Sequence, residues 1–163
     1  MTWNTPTAAG AGVLTSSFWN AQVRDNFDAI GNWQAYTPTW GSGGTAPAIG
    51  NGSITGGYIQ AGKTVMFETR LTFGSTTTFG TGTYTVTLPT PALNQGVTFT
   101  GLVLAGNTGY QMWGLVLAGA SNTVSLRVVS STNAQVLGLF NSTNPATLAA
   151  GDYFWLGGTY RAA

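Results

Sequence analysis

Residues 63–73 read KTVMFETRLTF, and in this stretch Val65, Phe67, Thr69, Leu71 and Phe73 alternate with Thr64, Met66, Glu68, Arg70 and Thr72. A strict period of two marks a half-buried β-strand, because successive side chains point to opposite sides of a pleated backbone. The preceding segment, Ser53–Gln60 (SITGGYIQ), is also extended, and the two face each other across a tight Ala61-Gly62 turn. Gly62 supplies the positive φ that a short hairpin connection wants. Glu68 and Arg70 lie two residues apart on one strand face and make a ready ion pair.

Downstream the same logic repeats. Thr83–Leu88 alternates and is ended by Pro89 and Pro91, since proline cannot donate to a ladder. GVTFTGLVLAG and YQMWGLVLAG follow, joined by a turn at Asn107-Thr108-Gly109, and the hexapeptide GLVLAG occurs in both. Asn122–Ser130 directs Val124, Leu126 and Val128 inward, Ala134–Phe140 is a short strand, and Gly151–Arg161 is an aromatic last one. Eight or nine short strands at this spacing predict an all-β fold, a jelly-roll-like antiparallel β-sandwich. Leu102–Ala105 and Leu115–Ala118 are apolar on both faces, a pattern that fits contact between subunits.

Upstream the pattern changes. Met1–Val13 has no periodicity and reads as an extended arm, whereas Leu14–Gly31 (LTSSFWNAQVRDNFDAIG) reads as a short N-terminal α-helix. Thr15 suits the N-cap, Leu14 and Trp19 are placed as a hydrophobic staple, and Gly31 suits the C′ position. Trp19, Val23, Phe27 and Ile30 fall on one face, and Arg24 can pair with Asp28 one turn on. A helix of this length needs its apolar stripe docked, either on its own β region or on other subunits of an assembly. The chain thus divides into an attachment or trimerisation segment, residues 1–31, and a β-sandwich knob, residues 32–163. Leu14, Trp19, Val23, Phe27 and Ile30 are the expected anchor residues.

Composition narrows the function. Charged residues make up 6% of the 163, with a net charge of +1, so no basic surface offers itself to nucleic acid. No apolar run reaches the roughly 20 residues of a membrane-spanning helix, so no membrane insertion is expected, and no secretory signal is expected at the start of the chain. With no His and no Cys, the usual bases, thiol nucleophiles and transition-metal ligand sets are missing, and no cofactor is expected. The β region holds two carboxylates, Glu68 and Asp152. A carboxylate pair can hydrolyse a glycosidic bond, but nothing in the sequence brings these two together, and a non-enzymatic protein is the expectation. Of the aromatics, Trp40, Tyr58 and Trp113 are candidate glycan contacts, and Tyr84, Trp155 and Tyr160 belong to the same set, with core or interface packing as the alternative.

The segment LTSSFWNAQVRDNFDAIG, followed by YTPTW, APAIGNGSITGGYIQAGKTVMF and LTFGSTTTFGTGTYTVTLP, resembles proteins encoded by tailed phages and prophages of actinobacteria. The likeness runs through Pro89. It implies a virion surface protein made in the host cytoplasm, with a short N-terminal anchor on a phage capsid or tail protein and a β knob that is usually homotrimeric. The chain has no fibre shaft, so capsid decoration and a minor tail or tail-fibre position are both open. A host cell-surface glycan is the further partner such a knob could take as an adhesin.

Overall fold

A computed structural model of the chain describes residues 15–93, 96–117, 122–129 and 136–163. The arm Met1–Val13 and Leu14, with its staple to Trp19, lie outside the described residues.

The chain is all-β with a short N-terminal helix, as its patterning predicts. The helix runs as α1 (Ser16–Trp19), a π-helical stretch (Asn20–Arg24) and α2 (Asp25–Gly31). Thr15 is the N-cap, its hydroxyl accepting from the Phe18 N–H at 3.2 Å. Gly31 is the last helical residue rather than a left-handed terminator, and extended Asn32 caps the end. Arg24 pairs with its neighbour Asp25 at 2.9 Å and not with Asp28.

Among the described residues ten antiparallel strands follow: β1 (Gln34–Tyr36), β2 (Trp40–Ser42), β3 (Ser53–Ala61), β4 (Thr64–Thr72), β5 (Tyr84–Thr87), β6 (Thr98–Ala105), β7 (Thr108–Val116), β8 (Thr123–Val129), β9 (Leu137–Leu139) and β10 (Tyr153–Arg161). They form one sheet in the order β1-β3-β4-β10-β6-β7-β8-β5-β2, with β9 beside β8. The first and last strands of that path are joined by residues 37–39 alone. That link spans at most roughly 14 Å, so the two edges must approach and the sheet curls around its core. The sandwich-like body is therefore a single hydrogen-bonded path folded over itself.

Hairpin turns sit one residue away from their expected places. The β3–β4 connection is Gly62-Lys63, with Gly62 at φ 59° as anticipated. The β6–β7 connection is Gly106-Asn107, both at positive φ, the combination a type I′ turn requires.

Inside, Val65, Phe67, Thr69, Leu71 and Phe73 of the opening stretch are all buried. Two groups of rings fill the curl. Trp40, Phe73, Tyr84, Phe140 and Phe154 make one, with neighbouring centroids 5.2–6.4 Å apart. Phe67, Phe99 and Tyr160 make the other, at 4.8–5.9 Å. These spacings suit edge-to-face aromatic contacts. The repeated GLVLAG has a packing origin: a Cβ on Gly101 would stand 2.1 Å from the Trp155 carbonyl oxygen, and one on Gly114 2.6 Å from Val124. The Thr-rich segment 74–82 is laced to the loop before β3, with Asn51 Oδ1 accepting from the Thr76 N–H at 3.0 Å and Thr77 Oγ1 donating to the Ile49 carbonyl at 2.6 Å. Hydroxyls do here what charges do on an ordinary surface.

Candidate functional site

Because β4 alternates, Glu68 and Arg70 face outward, and the ladder registers define what lies beside them. Glu68 stands between Gly57 of β3 and Gly157 of β10. Arg70 stands between Thr55 and Trp155. The two glycines leave room on either side of Glu68, and an indole occupies each. The six-membered ring of Trp33 lies over Gly57, where an added Cβ would be 3.1 Å from Cε3. That of Trp155 lies over Gly157, 3.1 Å from a Cβ placed there. Both indoles keep much of their surface in solvent, 51% for Trp33 and 41% for Trp155. Trp33, Trp155, Glu68 and Arg70, together with Gln34 and Thr55, line an open groove of about 420 Å³, within the range of small-molecule sites.

The expected Glu68–Arg70 ion pair does not form. Arg70 instead places its guanidinium 4.8 Å from the centroid of the Tyr153 ring, a cation–π contact. Glu68 consequently has no ion-pair partner among the described residues. Gln34 accepts through Oε1 from the Tyr58 hydroxyl at 3.3 Å, which leaves its amide N–H groups to the groove.

The row continues beyond Trp155. Gly157 pairs with Thr100 of β6, Thr100 with Trp113 of β7, and Trp113 with Arg127 of β8. Trp33, Trp155 and Trp113 therefore stand over alternate strands of one outward-facing row, separated by roughly 9.6 Å per strand pair.

Of the three aromatics expected to contact a glycan, Trp113 is thus half-buried on the outer face. Trp40 is corrected: it is a core residue packed against Phe73 and Tyr84, because β2 turns its alternate side chains into the curl. Tyr58 is corrected too, since its ring packs against the core and edge-on to Tyr36 at 5.9 Å. Trp33 carries no signal in the sequence, as it lies between helix and strand where no periodicity points at it.

Glu68 and Asp152 lie on different sides of the sheet. Asp152 is buried beside β10, accepting from the Gly106 N–H at 2.9 Å and the Ala149 N–H at 2.8 Å. Gly157, the neighbour of Glu68, lies five residue steps along the chain from Asp152, which is roughly 16 Å of strand. Glycosidase carboxyls stand roughly 5–9.5 Å apart. These two are not such a pair.

The helix supplies a second surface. Asn26 and Ala29 are its buried residues, and α2 packs against β3. Trp19 (54% exposed), Phe27 (71%) and Ile30 (48%) are turned to solvent, and Val23 is half-buried. The apolar stripe is thus not consumed by the chain's own β region. Among the described residues no group of three or more His, Cys, Asp or Glu could hold a metal ion, and no helix is long and apolar enough to cross a membrane. Comparisons with protein-family models, with characterised proteins and with solved structures return no match for this chain.

Proposed function

We propose that the chain is a non-enzymatic structural component of a phage particle, a homotrimeric surface knob held to capsid or tail through its N-terminal segment. The observation that carries this reading is the solvent-facing stripe Trp19, Phe27 and Ile30 on a helix already docked through its other side by Asn26 and Ala29. An amphipathic helix normally turns its apolar stripe inward, and contiguous exposed apolar surface marks a contact with another molecule. The resemblance of residues 14–31 and 36–89 to phage surface proteins supplies the particle and the three-fold stoichiometry. The internal use of Asp152 and its distance from Glu68 support a role without catalysis.

Phe27→Asp tests it. Phe27 is so exposed that this change should move the stability of the isolated fold by no more than about 0.5 kcal/mol. In the assembly it places a carboxylate in an apolar contact. The expected outcome is a wild-type protein with three times the chain mass by light scattering at micromolar concentration, and a variant that is folded but monomeric and absent from particles. A monomeric wild type, or unaltered incorporation of the variant, overturns the reading. Immunogold labelling of intact particles then decides between head and tail.

A further inference from the structure

The three tryptophans on the outer row serve no purpose in the core. Trp33 and Trp155 each cover a glycine, and each presents indole surface to solvent across Glu68. Each ring buries one face on the strand beneath it and so contributes to the fold, but the face left in solvent contributes nothing to that packing. A groove that keeps two indoles, one carboxylate and one guanidinium in the open is built to meet something.

The chemistry of the lining selects the occupant. Flat indole surfaces match a ring with an apolar C–H face, and the polar groups between them match a ring edge that both donates and accepts. Glu68 offers acceptors only, Arg70 and the Gln34 amide offer donors, and Thr55 offers both. One negative and one positive charge leave the groove neutral, so it selects neither a phosphate nor a quaternary ammonium ion. Arg70, held on the Tyr153 ring, would repel the latter. A neutral pyranose meets every one of these demands. The spacing adds length: Trp33, Trp155 and Trp113 recur every second strand along one row, which suits an extended chain of sugars rather than a single one.

We infer that this row is a binding site for a neutral, extended oligosaccharide, with Trp33 and Trp155 as stacking platforms, Glu68 accepting from sugar hydroxyls between them and Trp113 reached by longer chains. The site does not depend on the particle assignment, since any β domain with this row would bind in the same way.

The test is a titration of the full chain with β-1,4-linked glucose and β-1,4-linked N-acetylglucosamine oligomers of one to six units, followed by tryptophan fluorescence and calorimetry. A glycan array covers other neutral and acidic chains. Saturable binding that tightens with chain length is expected. Trp155→Ala should weaken it at least about tenfold, a change of about 1.4 kcal/mol. Glu68→Gln should weaken it less, and Trp113→Ala should weaken only the longer oligomers. Circular dichroism and melting temperature establish that each variant is folded, and light scattering that its oligomeric mass is unchanged. The inference is overturned if no neutral glycan binds saturably, if only acidic glycans bind, or if folded Trp155→Ala binds as well as the wild type. Loss of oligomeric mass in Trp33→Ala and Trp155→Ala without any glycan binding would make the row a protein contact instead, and equally overturn it.

Discussion

Asp152 and Glu68 are the same kind of side chain in two settings, and their surroundings decide what each is for. Asp152 ties the β6–β7 turn and the segment entering β10 together through the Gly106 and Ala149 N–H groups. Asp152→Ala removes the acceptor from two part-buried, charge-assisted hydrogen bonds, whose donors on Gly106 and Ala149 water can then reach, and should cost about 1.5 kcal/mol, readable as a lower midpoint in urea. Glu68→Gln touches no such brace and should leave that midpoint within about 0.5 kcal/mol. The tyrosines carry a pH dependence of stability. Burial pushes the Tyr36 phenol up from 10 to about 12, against a hydrogen bond with Thr69 that works the other way. Burial does the same for Tyr84, also to about 12. An unfolded tyrosine ionises near 10, so between pH 10 and 12 the unfolded chain has released protons that the native chain still holds. The stabilisation is complete below pH 10 and is lost as pH rises towards 12. Melting temperature should fall across that window, with a late step in phenolate absorbance. A flat melting temperature from pH 9 to 12 would contradict the burial of these two phenols.

The helix illustrates how an element can obey its local code and still surprise. Its start at Thr15 is as the capping residue dictates, but the i→i+5 bond from the Asp25 N–H to the Asn20 carbonyl inserts a π turn that a 3.6-residue wheel does not contain. Side chains beyond that turn lag, and the side presented to β3 is the one carrying Asn26 and Ala29 rather than the aromatic stripe. Ala29 has no exposed surface. Ala29→Arg should therefore release the helix from β3. Hydrogen exchange should show residues 16–31 losing protection while β4 and β10 amides keep theirs. Unchanged protection of the helix would mean that α2 is held by something other than this contact. Hairpins follow their local code more closely, because a two-residue turn needs positive φ at fixed places and Gly62, Gly106 and Asn107 supply it.

At the scale of the molecule, closure of the curl depends on the residues where its edges meet. Trp40, at the start of β2, packs on Phe73, just past the end of β4, and on Tyr84 of β5, with centroids 5.4 and 5.2 Å away. Trp40→Ala should cost about 3–5 kcal/mol as a large-to-small core change. Trp113→Ala on the outer row should cost far less, and denaturant unfolding of the two variants side by side checks the contrast. Features that depend on near neighbours were legible in the chain alone. The period of two in residues 63–73, the breaks at prolines and glycines, the inward set Val124, Leu126 and Val128, and the N-cap at Thr15 are local, and each is readable in a window of about ten residues. Strand neighbours were not, and they had to come from the fold. The insertion of β10 between β4 and β6 sets Gly157 against Glu68 and aligns Trp155 with Arg70. The pairing of β2 with β5 turns Trp40 to the core, and that of β1 with β3 leaves Trp33 over Gly57 on the open side. An alternating strand states that it has two faces. Which face is wet, and what stands next to it, depends on residues far away in the chain, because the entropy of closing those long loops is overcome only by the packing of the whole core.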